Sequence, residues 1–138
     1  MARESVILYI DDDPDDHDLI QLAFAELGVP NEVVCLHNGE DAFRYLQAEE
    51  PPFLILCDYK LPGMDGIELR RKIEDHEELR KKAIPFIFLS TTVSRTMVQE
   101  VYTLNVQGLF EKGNLFESVK SLLKLIYDYW QTCKHPNN

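Results

Sequence analysis

The chain has 138 residues, 45% of them hydrophobic, and a formal net charge of −10. That length suits one domain of ordinary core, since a chain of this size buries roughly 68–70% of its unfolded surface. The hydrophobic content excludes disorder, the acidic balance disfavours nucleic acid and anionic membranes as partners, and no apolar run approaches the about 18 residues of a membrane span. In chain order, residues 5–10 (SVILYI) form a β-branched run that ends at acids. Residues 14–27 read as a helix: Leu19, Leu22, Ala23 and Leu27 recur at helical spacing beside Ile20 and Phe24, and Gly28 and Pro30 stop it. Residues 32–36 (EVVCL) read as a short strand. Residues 39–48 form a helix with Ala42, Tyr45 and Leu46 on one face, broken by Pro51-Pro52. Residues 53–57 (FLILC) are continuously apolar, as a parallel strand covered on both faces should be.

A Pro/Gly loop at 61–65 leads into a helix from 66 to about 75 and a charged stretch on to Ala83. There Arg70-Arg71-Lys72 and Arg80-Lys81-Lys82 interleave with Glu74, Asp75, Glu77 and Glu78, the pattern of a solvated helix face. Residues 85–89 (PFIFL) are a buried strand, 94–105 a helix, 107–111 a last strand, and 114 to about 131 a long final helix. The alternation predicts an α/β fold, (βα)5, with a doubly wound parallel sheet of five strands; the flavodoxin-like order 2-1-3-4-5 is expected, which sets the first and third strands side by side at the switch point. One domain over 1–138 is expected, with its core at about 5–131 and a tail at 132–138. No linker, repeat or room for an output domain is seen. The first residues lack a signal-peptide pattern, which makes the cytoplasm the expected location.

The three cysteines have no metal-ligand spacing. Cys35 and Cys57 lie in apolar runs and read as buried thiols, and Cys133 as exposed. His17, His37, His76 and His135 are scattered, and surface polar roles are expected of them.

The chemistry concentrates at strand ends, where open α/β sheets place function. The first strand ends in Asp11-Asp12-Asp13, the third in Asp58, the fourth in Ser90-Thr91-Thr92 and the fifth in Lys112. Carboxylates at close range repel unless a cation sits among them, and a hard divalent ion such as Mg²⁺ accepts both carboxylate and phosphate oxygens. Asp58 stands alone at its strand end and is the candidate nucleophile for a phosphoryl group; the Asp11-Asp12 pair suits the metal. Lys112 supplies positive charge and Ser90 a hydrogen bond to the phosphoryl oxygens. Asp13 before Pro14, with Asp15, Asp16 and Asp18 following, reads instead as a helix cap and a first turn rich in acids.

These residues resemble the receiver domains of response regulators. The resemblance is carried by residues 7–14 (ILYIDDDP), 57–66 (CDYKLPGMDG), 84–91 (IPFIFLST) and 108–112 (GLFEK), in the family's order along the whole chain. The overall look is closest to stand-alone receivers of the chemotaxis-regulator and phytochrome-associated kind. The resemblance implies that a sensor histidine kinase or phosphotransfer protein phosphorylates Asp58. It implies that Asp12, Asp58 and the backbone carbonyl of Lys60 hold Mg²⁺, with Mn²⁺ as a substitute, and that Asp11 acts through a metal-bound water. It implies that Ser90 and Lys112 contact the phosphoryl oxygens while Lys60 and Thr92 tune hydrolysis. Such a protein is no enzyme toward other substrates but catalyses its own phosphorylation and dephosphorylation, and signals to a downstream protein by contact.

Two positions depart from the family pattern. The family's lysine precedes a proline in a cis bond, whereas Lys112 precedes Gly113, which leaves that bond's geometry open. The switch aromatic, three residues before the lysine, is Leu109, and the adjacent Phe110 should face the other side of the sheet. Both lend weight to an alternative, a pseudo-receiver that binds without being phosphorylated. A haloacid-dehalogenase-type phosphatase is disfavoured because it leaves Asp58 unexplained and lacks its later acidic pair. The final helix carries Leu115, Val119, Leu122, Leu123, Ile126 and Trp130 as one stripe, widened by Phe116, Leu125, Tyr127 and Tyr129. That width exceeds the need of core packing and points to a homodimer or partner surface as much as to packing on its own domain.

Overall fold

The computed structural model describes residues 4–137. Its strands are β1 (Ile7–Ile10), β2 (Val33–Leu36), β3 (Leu54–Cys57), β4 (Phe86–Ser90) and β5 (Gly108–Glu111). Its helices are α1 (Pro14–Glu26), α2 (Gly39–Ala48), α3 (Gly66–Asp75), α4 (Glu77–Lys82), α5 (Arg95–Val101) and α6 (Phe116–Thr132). The five strands form one parallel sheet, as the alternation predicts, in the expected order β2-β1-β3-β4-β5. Its register sets Ile10 beside Cys57 and Cys57 beside Phe88, so the residues that follow β1, β3 and β4 emerge together at one edge.

The two-residue period of the strands divides the core. Leu8, Ile10, Ile55, Cys57, Phe86 and Phe88 face the side covered by α2, α3, α4 and α5. Ile7, Tyr9, Leu54, Leu56, Ile87 and Leu89 face α1 and α6. On α6, Val119, Leu123 and Ile126 are buried, whereas Leu125 and Tyr129 remain exposed. Leu109 packs with the first cluster and Phe110 with the second, the opposition the alternation requires.

Four expectations change. The charged stretch after Asp75 is a separate helix, α4; His76 closes α3 and its Nδ1 accepts the Leu79 N–H (3.3 Å) at the start of α4. Only Leu79 is buried in α4, so the segment offers no apolar period to read. Second, α5 ends at Val101, not at 105: the Thr103 hydroxyl donates to the Glu100 carbonyl at 2.7 Å and competes for the helical ladder. Third, Arg70 belongs to no solvated face. It is buried, donates from Nε to the Asn105 carbonyl at 2.6 Å, pairs with Glu74 at 3.1 Å and stacks over Phe86. Fourth, two of the four histidines are buried. His17 is taken up below; His135 lies beneath the sheet.

His135 fixes the chain after α6. Its ring stacks on Phe53 at 5.1 Å, and its Nδ1 accepts the Asn137 N–H, so Nε2 carries the proton and donates to the Phe53 carbonyl at 2.7 Å. The Asn137 side chain donates to the Lys82 carbonyl at 2.6 Å. Residues that looked like a tail therefore tie α6 to the start of β3 and the end of α4. His135→Ala is expected to lower unfolding free energy by about 1–3 kcal/mol, the scale of one buried hydrogen bond with a stacked ring, in urea denaturation. Cys57 is buried as expected, while Cys35 and Cys133 are partly buried.

Candidate phosphoryl-acceptor and metal site

The site is built from backbone that the strands leave at the sheet's edge. Beyond β1, the Asp11 N–H still donates to the Leu36 carbonyl of β2, and beyond β3 the Asp58 N–H donates to the Ile10 carbonyl. The two acids are thus fixed on neighbouring strand ends. Asp13 caps α1, accepting the Asp15 N–H at 2.9 Å, and its own N–H donates to Asp11 Oδ1 at 3.0 Å. The cap that helix chemistry predicts therefore also pins one oxygen of Asp11. Behind Asp58 the chain turns into α3, where a Cβ on Gly66 would fall 2.6 Å from the Asp58 carbonyl oxygen and from the Phe88 ring. Glycine is required there for the helix start to pack under the loop that follows Asp58.

One oxygen from each of Asp11, Asp12 and Asp58 lies within 4.8 Å of the others. Asp11 is buried, Asp58 partly buried and Asp12 exposed, so the cluster opens to solvent on one side. Burial first, and then the charge of Asp11, push the Asp58 carboxyl up to about 6, against the pull of Lys112 and of the Tyr59 and Lys60 N–H groups. Like charges crowded at this distance fit a hard divalent cation. Asp11 behaves in the opposite way: burial raises it, but the hydrogen bonds from Tyr9 and the Asp13 N–H and the charge of Lys112 outweigh that and hold it below the ordinary value.

Lys112 is brought to the cluster from β5. Its N–H donates to the Ser90 carbonyl at 2.8 Å, and its buried ammonium reaches Asp11 Oδ2 at 3.0 Å and Asp16 Oδ2 at 3.2 Å. The peptide bond to Gly113 is trans, and Gly113 takes a positive φ of 63°. Ser90 is buried at the end of β4 and its hydroxyl donates to the Thr92 carbonyl at 3.0 Å, inside its own loop. That loop is tied to β5 because the Val93 N–H donates to Glu111 Oε1 at 2.9 Å. Lys60 and Thr92 are exposed at the rim. Leu109 is partly buried, and its N–H donates to the hydroxyl of Tyr102, just beyond α5, at 3.1 Å. The Tyr59 hydroxyl donates to the Glu100 carboxylate of α5, a direct link from the loop after Asp58 to that helix.

Three participants were not foreseen. The Tyr9 hydroxyl donates to Asp11 Oδ2 at 2.7 Å and accepts from Lys112 at 2.9 Å, in full burial. Asp16, expected only to favour the helix dipole, pairs with Lys112. His17, expected at the surface, is buried, donates from Nε2 to the Asp11 carbonyl at 2.5 Å and lies 4.5 Å from the exposed His37 ring. A sequence signal existed for Tyr9: it carries the one polar group inside the first apolar strand, two positions before Asp11 and so on its face.

Residues 7–124 match the model of the response regulator receiver domain. The chain is 32% identical, over 91% of its length and 83% of the relative's, to the probable methanogenesis regulatory protein FilR2 of Methanothrix harundinacea. It is 28% identical to the response regulator Rcp1 of Synechocystis sp., over 91% of this chain and 88% of that one. Among solved structures it resembles the phosphorylated cyanobacterial phytochrome response regulator RcpA, with a TM-score of 0.84, 31% identity, and 94% and 96% of the two chains covered. The Mn²⁺-bound form of Rcp1 matches with a TM-score of 0.82 at 28% identity, covering 95% of this chain and 98% of that one. The flavodoxin-like sheet, the order of its strands and the match over residues 7–124 place the chain in the response-regulator receiver family.

Proposed function

We propose that this receiver accepts a phosphoryl group on Asp58 from a sensor histidine kinase or phosphotransfer protein and passes the signal on by protein contact. The observation that carries the reading is the convergence of Asp11, Asp12 and Asp58 beside the buried Lys112 ammonium. In the transfer, an Asp58 carboxylate oxygen bonds to phosphorus as the phosphorus–nitrogen bond of the phosphohistidine breaks, and the departing imidazole nitrogen takes a proton from solvent. Asp12, Asp58 and the Lys60 carbonyl would hold Mg²⁺, or Mn²⁺ in its place, with Asp11 acting through water, and the ion would supply charge for the phosphoryl oxygens. Lys112 and Ser90 donate to those oxygens, Ser90 by releasing the Thr92 carbonyl. Lys60 and Thr92, exposed at the rim, set how readily water reaches the acyl phosphate and hence its lifetime. Hydrolysis by the protein itself returns it to rest.

Leu109 has no aromatic ring to turn inward, so the signal travels through the Ser90 loop and α5, which Tyr59 and Glu100 already join to the acceptor loop. The apolar hollow between β5 and α6, lined by Phe110, Leu125, Tyr129 and Trp130, is the surface for a second copy of the chain, which sedimentation of the metal-bound and phosphorylated forms checks. A strict monomer in both forms would exclude that dimer.

Incubation with acetyl phosphate and Mg²⁺, read by intact mass, is expected to add one phosphate to the wild type and none to Asp58→Asn. No addition from acetyl phosphate or from a cognate kinase would instead identify a pseudo-receiver.

A further inference from the structure

The Lys112 ammonium has three protons to donate and, in this structure, three acceptors: the Tyr9 hydroxyl at 2.9 Å, Asp11 Oδ2 at 3.0 Å and Asp16 Oδ2 at 3.2 Å. None is left for a phosphoryl oxygen, so one acceptor has to yield when Asp58 is phosphorylated. The three are not equivalent. Tyr9 is fully buried and Asp11 is 1% exposed, and a 2.7 Å hydrogen bond joins them to each other. The Tyr9 hydroxyl spends its single proton on Asp11 and can only accept from the lysine, which closes a triangle of Tyr9, Asp11 and Lys112. Asp16 makes the longest of the three contacts, and its side chain is 29% exposed. It stands on the first turn of α1, where water can take over its carboxylate.

We propose that Tyr9 is a positioning residue that aims Lys112, and that Asp16 occupies in the resting state the ammonium proton that a phosphoryl oxygen on Asp58 takes over. This rests on the reading of Asp58 as acceptor. A phenylalanine at position 9 could replace neither the hydroxyl's tether to Asp11 nor its lone pair for the lysine, and it would leave Lys112 held by two carboxylates alone. A lysine so held is drawn toward the acids of β1 and α1 and is no longer set for the phosphoryl group. When Asp11 turns its charge to a divalent cation, the neutral hydroxyl of Tyr9 still offers the ammonium its place.

The test is the rate of phosphate addition from acetyl phosphate at saturating Mg²⁺, read by intact mass, with thermal melts to verify folding. Tyr9→Phe, which keeps the buried ring, is expected to slow addition about 5- to 50-fold, short of the about 100-fold that a misplaced reacting geometry can cost, because Lys112 stabilises charge and does not itself react. Asp16→Ala is expected to speed it about two- to fivefold, the factor released by loosening a part-exposed ion pair. In a Lys112→Met background, already slow, both substitutions are expected to change the rate by less than about twofold, because each acts through the ammonium. A structural defect alone gives neither the opposite signs nor the loss of effect with Lys112. Equal rates for Tyr9→Phe and wild type, a slower Asp16→Ala, or full effects persisting without Lys112 would each overturn the proposal while leaving Asp58 as the acceptor. A wild-type protein that takes no phosphate from acetyl phosphate or a kinase would overturn both.

Discussion

Without divalent cation, Lys112→Met is expected to cost about 3–5 kcal/mol of stability at pH 7, the loss seen when one member of a buried ion pair is removed. Lys112 is 3% exposed and Asp11 1%, so no solvent steps in when the ammonium goes. Burial alone lowers the lysine's hold on its proton, but the charge of Asp11 and its hydrogen bond more than reverse this and leave the group above its ordinary value of 10.5. A cation so raised contributes fully below that value and is lost only as pH climbs through the higher folded value. Asp11, held below its ordinary 3.8, contributes above that value and fails as pH drops through the lower folded one. The pair's contribution in the wild type is therefore flat from about pH 4 to pH 10. In the variant the Asp11 carboxylate has lost its cation, takes up protons more readily, and the protein should regain more stability than the wild type does, through Asp58, on acidification from pH 7 to pH 5. Urea denaturation at both values, without and with Mg²⁺, checks this. A variant as stable as the wild type at pH 7 without Mg²⁺ would mean that Lys112 does not neutralise the cluster.

Asp58→Asn should act with the opposite sign. The Asp58 carboxyl is raised to about 6, chiefly by burial and then by the charge of Asp11. The folded protein therefore binds this proton more tightly than the unfolded chain does. As pH rises from the ordinary 3.8 toward 6, stability falls, and above that the full penalty of the ionised group remains. The amide removes the penalty. In metal-free buffer at pH 7.5 the variant is expected to gain about 1–2 kcal/mol, allowing for screening at this half-open site, and to melt about 3–8 °C higher. At pH 4 the difference should vanish. Mg²⁺ should raise the wild-type melting temperature markedly and that of Asp58→Asn little, since the variant has lost both the repulsion and a ligand. Calorimetry of the two proteins at the two pH values, with and without Mg²⁺, reads all of these outcomes, and a variant less stable than wild type without metal would refute the repulsion.

The sheet was legible because each buried strand is a short apolar run with a charged or hydroxyl residue at its end, and such runs do not form amphipathic helices. The convergence of Asp11, Asp12, Asp58 and Lys112 followed from the parallel sheet, since parallel strands bring their far ends to one edge. What stayed hidden depends on contacts between distant segments. Arg70 and His135 are polar residues in polar stretches, and their burial is decided by the Asn105 and Phe53 carbonyls they meet, which no local pattern announces. The helix α4 has a single buried residue, too few for a period. Asp16 fits the local grammar of a helix start so well that its partnership with Lys112, 96 residues away, left no trace of its own.

The Tyr102 hydroxyl on the Leu109 amide bears on a different matter. β5 is an outermost strand, and an open strand margin invites other chains to extend the sheet, whether as a binding peptide or as the start of aggregation. Here a tyrosine occupies one of that margin's donors, the Leu109 N–H. A chain adding a strand at that point would first have to displace the phenol.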